Sequence, residues 1–266
     1  MKKPKVCVLR TAGTNCDAET AYAFERAGAS AQRLHINALS NGRAALNDFH
    51  ILALPGGFSY GDDVAAGKIL ANELRCKLRP DIEKFIAAGK LIIGICNGFQ
   101  ILVKSGLLPG NSSWGQQASL VLNDSSKFES RWVYLRTSGA GARESVCVWT
   151  KGVQEVIYLP VAHGEGKFIA GETALLKQLT ERGQVAVRYC RSDGSLPSYP
   201  DNPNGSQNDI AGICDKTGRI FGLMPHPERN IQFTHHPRWS SGSNPAGEPD
   251  GMAIFRNGVA YAQRNM

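Results

Sequence analysis

Leu91-Ile92-Ile93-Gly94-Ile95-Cys96-Asn97-Gly98 decides the fold of this chain. Its first five residues form an unbroken apolar run between Gly89-Lys90 and Asn97-Gly98, the pattern of a strand buried on both faces. Residues 97–104 then read as a helix that stops at Gly106. Cys96 is therefore expected on a sharp strand-to-helix turn. Such a turn lifts a side chain out of the sheet and sets it at a helix N-terminus. There, free N–H groups and the helix dipole favour a thiolate and can hold an oxyanion. Gly94 and Gly98 let the backbone bend that tightly. A cysteine so placed is a candidate nucleophile.

The same alternation precedes it. Residues 5–10 read as a strand, Thr14-Asn15-Cys16-Asp17 as a helix cap, and 18–26 as a helix ended by Gly28. Residues 50–54 read as a second strand, running into Pro55-Gly56-Gly57, a loop where backbone can approach a ligand closely. Residues 80–86 form a helix with Pro80 and acids in its first turn. Strands and helices in this order imply parallel strands with helices on both faces. The functional loops of such a sheet lie at the strands' carboxyl ends, where Pro55-Gly56-Gly57 and Cys96 both fall.

After Pro109 the texture changes. Residues 132–135, 145–149 and 155–160 read as strands with no long helix between them, so an antiparallel section is expected. Residues 174–181 read as a short helix, and 184–190, 210–215 and 219–224 as strands. Lys216-Thr217-Gly218 joins the last two as a hairpin. Residues 252–262 close the fold as a helix. The expected class is α/β, a mostly parallel central sheet flanked by helices with an antiparallel section in the second half. One domain over residues 1–266 is expected, with loop insertions around 110–130, 192–209 and 235–250.

A length of 266 residues with 42% hydrophobic content supports one sizeable core. The net charge of +7 comes without a basic run interleaved with aromatics, so a basic surface is expected rather than a nucleic-acid site. Seven cysteines are scattered with no Cys-x-x-Cys pair, which suggests neither a disulfide framework nor a metal site. Cys7, Cys147, Cys190 and Cys214 lie in strand-like runs as buried small hydrophobes. This usage suits a reducing, cytoplasmic location. The basic start is followed by an apolar run too short for a signal peptide, and no stretch approaches a membrane span.

A cysteine nucleophile needs a histidine to relay its proton and a third group to orient that histidine. Two histidines carry a glutamate two residues later, in His163-Gly164-Glu165 and His226-Pro227-Glu228. In extended backbone such pairs point the same way, so spacing alone does not choose. Context favours His226. It directly follows a strand, and Pro225 and Pro227 stiffen the backbone around it. His163 lies in a glycine-flanked loop suited to contacting a ligand.

Gly94-Ile95-Cys96-Asn97-Gly98-Phe99-Gln100 resembles the nucleophile motif of class I glutamine amidotransferases, and Met224-Pro225-His226-Pro227-Glu228-Arg229 resembles their His-Pro-Glu motif. Further segments resemble one branch, the glutaminase components of phosphoribosylformylglycinamidine synthases. They are Gly13-Thr14-Asn15-Cys16-Asp17, Pro55-Gly56-Gly57-Phe58-Ser59-Tyr60-Gly61-Asp62, Asn123 through Glu129, His163-Gly164-Glu165-Gly166 and Asn202-Pro203-Asn204-Gly205-Ser206.

The resemblance implies a flavodoxin-like fold and hydrolysis of L-glutamine to glutamate and ammonia for purine biosynthesis. It implies Cys96 as nucleophile, His226 as acid and base, and Glu228 as the group orienting it. Backbone N–H groups of Gly57 and Asn97 would form the oxyanion hole. Gly56, Phe58, Gln100, His163, Gly164 and Glu165 would shape or bind the glutamine site. The implied partner is a separate synthase subunit, with a small third subunit, that binds formylglycinamide ribonucleotide, ATP and magnesium. No cofactor is expected on this chain, which lacks a Gly-x-x-x-x-Gly-Lys-Ser/Thr loop. After Asp62 the chain continues Asp63-Val64-Ala65-Ala66-Gly67, where many short members have an aromatic, an aliphatic and an arginine. With that departure, the segments Asn123 through Glu129 and Asn202 through Ser206 look more like the amidotransferase end of the long, single-chain synthases, which favours a large synthase partner. The rival readings are an amidotransferase serving another acceptor, a cysteine peptidase on the same turn, and a basic binding module with Cys96 a buried thiol.

Overall fold

A computed structural model describes residues 2–110, 113–137, 145–241 and 247–265. The chain runs β1 (Lys5–Arg10), α1 (Asp17–Arg26), β2 (Ser30–His35), α2 (Ile36–Ser40), β3 (Ile51–Leu54), α3 (Lys68–Glu73), α4 (Arg79–Ala87), β4 (Leu91–Ile95) and α5 (Asn97–Ser105). It continues β5 (Ala118–Val121), β6 (Glu129–Arg136), β7 (Val156–His163), β8 (Lys167–Ala170), α6 (Thr173–Glu181), β9 (Val185–Cys190), β10 (Ile210–Cys214), β11 (Ile220–Leu223) and α7 (Asp250–Arg264).

Among the described residues the strands form a nine-stranded sheet, β2-β1-β3-β4-β11-β10-β9-β6-β7, and a small β5-β8 pair. The pairs β1/β2, β1/β3, β3/β4 and β4/β11 are parallel. The pairs β10/β11, β9/β10, β6/β9 and β6/β7 are antiparallel. The mostly parallel half with an antiparallel extension is the expected architecture. Strand order reverses between β1 and β3, and in open sheets of this kind ligands bind at the carboxyl ends beside such a point. The loops leaving β1, β3, β4 and β11 meet there.

β3 and β4 are buried at every position, as apolar strands covered on both faces should be. The buried apolar side chains pack as one cluster. Phe24 of α1, Phe255 of α7 and Trp149 meet edge to face, with centroids 4.9 Å (Phe24–Phe255) and 6.4 Å (Phe24–Trp149) apart.

Three readings change. Residues 145–149 are not a strand. Val146 N–H donates to Gly183 O and Val148 N–H to Gly218 O, both loop carbonyls, and Val148–Thr150 form a 3-10 turn. The alternation there buries Trp149 beneath α7, where a Cβ on Gly258 would fall 2.2 Å from its ring. The second change is β2, whose residues are all half-buried or exposed; such an edge strand carries no apolar alternation to read. The third is the insertion expected around 110–130, which is not loop throughout: it holds β5, paired antiparallel with β8. Of the expected insertions, residues 111–112 and 242–246 lie outside the described set. Among the described residues no helix is long and apolar enough to cross a membrane.

Candidate active site

Cys96 stands between β4 and α5 with φ 51° and ψ −106°. A non-glycine residue in that region stores about 1–3 kcal/mol of strain, held only where the surroundings over-determine it. The surroundings here do so. Cys96 N–H donates to Leu223 O at 2.8 Å, and its carbonyl accepts from Phe99 N–H at 2.9 Å and Gln100 N–H at 3.1 Å. A Cβ on Gly94 would lie 2.5 Å from Gly98 O, and one on Gly98 only 1.9 Å from Leu54 O. The two glycines are required because α5 is pressed against the ends of β3 and β4.

His226 follows β11. Its N–H donates to Pro160 O at 2.8 Å, and its Nδ1 lies 2.6 Å from Glu228 Oε1. Both side chains are almost fully buried. Burial opposes a charged imidazole, but the Glu228 carboxylate, the Cys96 sulfur and the nearby Cys16 sulfur together hold the His226 pKa well above its usual value. These sulfurs lie near enough to act on its charge, yet neither is aligned as a full hydrogen-bond partner of Nε2. Gly56 marks the meeting point. A Cβ there would lie 2.8 Å from His226 Cε1, 3.2 Å from Cys16 Sγ and 3.5 Å from Cys96 Cβ. Sulfur, imidazole and carboxylate thus converge on one hollow beneath a glycine. The other histidine-glutamate pair does not form such a unit, because Glu165 turns to Lys104, 3.5 Å away.

The Gly57 loop is anchored on both sides. Phe58 N–H donates to Gly13 O at 2.9 Å, and Tyr60 N–H to Ala12 O at 2.8 Å. Gly57 has φ 136°, and a Cβ there would lie 2.7 Å from Asn15 N. Asn97 links this loop to α5. Its Oδ1 accepts from Ser59 N–H at 3.2 Å, and its Nδ2 donates to Asp62 Oδ1 at 3.1 Å and Gln100 Oε1 at 2.9 Å. Among the described residues no backbone carbonyl accepts from the N–H of Gly57 or of Asn97.

The residues expected around glutamine are distributed as follows. Gln100 is buried, and its Nε2 donates to Glu165 O at 2.6 Å, so it holds the Glu165 strap against α5. Phe58 is half exposed and leans on Phe128, with centroids 6.4 Å apart. Gly164 O accepts from Asn123 N–H at 2.9 Å. His163 lies beneath Gly166. Burial and the neighbouring His226 push its pKa down to about 3. Asn123 Nδ2 donates to Lys127 O and His163 O, which leaves Oδ1 as the acceptor facing His163 Nδ1 at 3.1 Å. The proton therefore sits on Nδ1, and the buried Nε2 is a bare acceptor with no partner among the described residues.

The sequence alone gives Lys104 and Asp62 no site role and places Cys16 in a helix cap. Lys104 is buried on α5, with Nζ donating to Ala66 O at 2.6 Å. Asp62 Oδ1 accepts from Gly67 N–H at 3.0 Å, and burial raises its pKa. Cys16 makes no capping bond with its side chain. Its backbone N–H instead donates to Gly56 O at 3.2 Å, and its sulfur turns toward the site.

The family model for the CobB/CobQ-like glutamine amidotransferase domain matches residues 3–262. A phosphoribosylformylglycinamidine synthase subunit PurQ of Dehalococcoides mccartyi is 49% identical, over 99% of this chain and all of its own length. The subunit of that name from Methanococcus maripaludis is 43% identical over 97% of each chain. Among solved structures, a chain of PurLQS from Thermotoga maritima superposes with a TM-score of 0.72 at 31% identity, covering 97% of this chain and 99% of its own. The chain belongs to the CobB/CobQ-like glutamine amidotransferase family, and within it to the branch of the PurQ subunits.

Proposed function

We propose that this chain is the glutaminase subunit of a phosphoribosylformylglycinamidine synthase. It hydrolyses L-glutamine and passes ammonia to a synthase subunit, which converts formylglycinamide ribonucleotide and ATP to formylglycinamidine ribonucleotide in purine biosynthesis. The observation that carries this reading is the convergence of Cys96, His226 and Glu228 at Gly56, in a chain 49% identical to a PurQ subunit. In this reading the whole chain is one amidotransferase domain working in the cytoplasm. ATP and magnesium bind the synthase subunit, and a small third subunit completes the assembly.

Cys96 Sγ attacks the side-chain amide carbon of glutamine while His226 takes the thiol proton. The tetrahedral oxyanion is held by the N–H groups of Gly57 and Asn97; losing one such donor typically costs about 10²–10³ in rate. His226 then gives its proton to the departing ammonia, leaving a glutamyl thioester. It next draws a proton from water, which attacks the thioester and releases glutamate. Glu228 keeps the imidazole oriented and supports its charged form without taking the proton itself. Gln100, His163, Gly164 and Glu165 frame the end of the pocket that receives the amino-acid group, with Gly56 and Phe58 on the opposite wall. In support of this arrangement, Gln100 grips the Glu165 carbonyl from α5.

Glutamate release from L-glutamine, measured with and without the purified synthase partner, tests the reading. Turnover that rises when the partner is added and vanishes in Cys96→Ala supports it. Turnover that survives Cys96→Ala refutes it.

A further inference from the structure

Cys16 is a buried thiol that the reaction above does not use, yet it occupies the triad's own hollow. Its backbone does the work of a helix start: the carbonyl accepts from Thr20 N–H at 3.1 Å and Thr20 Oγ1 at 2.7 Å. The side chain is thereby left to project inward. Its S–H faces Asn15 Oδ1 at 3.2 Å, and the sulfur accepts from Arg229 Nη2 at 3.1 Å. Arg229 is itself paired with Glu19, Nε to Oε1 at 3.3 Å. The Cys16 sulfur, a His226 ring nitrogen and a Glu228 oxygen lie within 4.8 Å of one another. A soft metal ion is the other group such a trio could hold, but the Arg229 guanidinium already supplies a cation against this sulfur.

We propose that Cys16 is a positioning residue for His226: a neutral thiol, fixed by Asn15 and Arg229, whose sulfur lies within 4.8 Å of both a ring nitrogen and a Glu228 oxygen and steadies the charged ring. The proposal rests on His226 being the acid and base of the reaction. Burial pushes the Cys16 thiol up, against the pull of His226 and Arg229, so the sulfur stays protonated and does not compete with Cys96 as nucleophile. A large, weakly basic acceptor suits this place, since it supports a positive ring without binding its proton. With Gly56 lacking a Cβ, ring and sulfur share one space. The groups facing the imidazole are Glu228 and Arg229 from its own turn, Cys96 from the elbow after β4, Cys16 from the start of α1 and His163 from the end of β7. Of these, Cys16 and His163 are neutral, and Cys16 is the one whose sulfur lies within 4.8 Å of a His226 ring nitrogen and a Glu228 oxygen.

The test follows the His226 ring by NMR titration of the full chain, its signal assigned by disappearance in His226→Asn. Cys16→Ala is expected to lower the His226 pKa by about half a unit, the scale of a weak sulfur contact and not of a full hydrogen bond. The alkaline limb of kcat/KM for glutamine, measured with the partner, should move down with it. Cys16→Ser, which keeps an acceptor, should restore most of both. Cys16→Val, apolar and larger than the thiol, so that it leaves no cavity, serves as the second variant without an acceptor. An unchanged His226 titration in Cys16→Ala or Cys16→Val overturns the proposal, and so does lost activity with no movement of the titration or the pH limb. The titration needs no glutamine turnover, so it stands apart from failure of the glutaminase reading.

Discussion

Replacing Gly56 with alanine should disable the site while leaving the fold intact. Gly56 has no positive φ, so the substitution brings no backbone strain, only a methyl group. That methyl would sit 2.8 Å from His226 Cε1, against an ordinary carbon–carbon separation of about 3.5–4.0 Å. The ring must therefore retreat by about 1 Å, or the glycine loop must retreat and carry the Gly57 N–H with it. The first movement pulls Nδ1 off its 2.6 Å contact with Glu228; the second pulls the donor off the oxyanion. A misplacement of about 1 Å costs on the order of 10²-fold in rate. Overpacking of this kind costs about 1–3 kcal/mol in stability. Steady-state glutamate release with the partner, paired with thermal melting, reads both quantities. Gly56→Ala with wild-type kcat and melting temperature would refute the packing account of the site.

Glu228→Gln should lower kcat by about 10³–10⁴ with little change in melting temperature, the loss seen when a triad carboxylate becomes an amide; a loss below tenfold in steady-state assays would contradict the orienting role. Asn97→Ala leaves Ser59 N–H and Gln100 Oε1 without their partner. Urea unfolding should show a loss of about 1–3 kcal/mol, and an unchanged midpoint would count against the network. His163 gives a pH signature. Its folded pKa of about 3 lies below the ordinary value of 6.5, so its contribution to stability is present above pH 6.5 and is lost as pH falls toward 3. By pH 5 the loss amounts to about 2 kcal/mol, and His163→Gln should remove that part of the acid slope; equal slopes in urea titrations of the two proteins would overturn it. His226 has the opposite sign. Its raised pKa gives stability that is full below 6.5 and is lost as pH rises through the folded value. His226→Asn should therefore flatten the alkaline side of the same curve, and an unaltered alkaline side would rule this out.

What the sequence made legible depended on how strongly local chemistry constrains each segment. The elbow was readable because Leu91–Ile95 is apolar at every position and glycines flank the cysteine on both sides. The pairing of His226 with Glu228 was readable because prolines fix the backbone between strand and turn. β2 was not, since an edge strand with Ala31 and Leu34 among polar residues resembles a loop. Residues 145–149 misled because the alternation that buries Trp149 serves α7 rather than a sheet. Lys104, Asp62 and the inward turn of Cys16 could not be read at all. Each takes its place from a partner far along the chain, Lys104 from Ala66 and Glu165, Cys16 from Arg229.

The most direct measurement is mass spectrometry of the full chain after treatment with a glutamine-like alkylating label, in the presence and absence of free L-glutamine. A single adduct on Cys96 that glutamine suppresses is the predicted result. Labelling spread over Cys76 and other thiols, or a Cys96 adduct that glutamine leaves untouched, would contradict it.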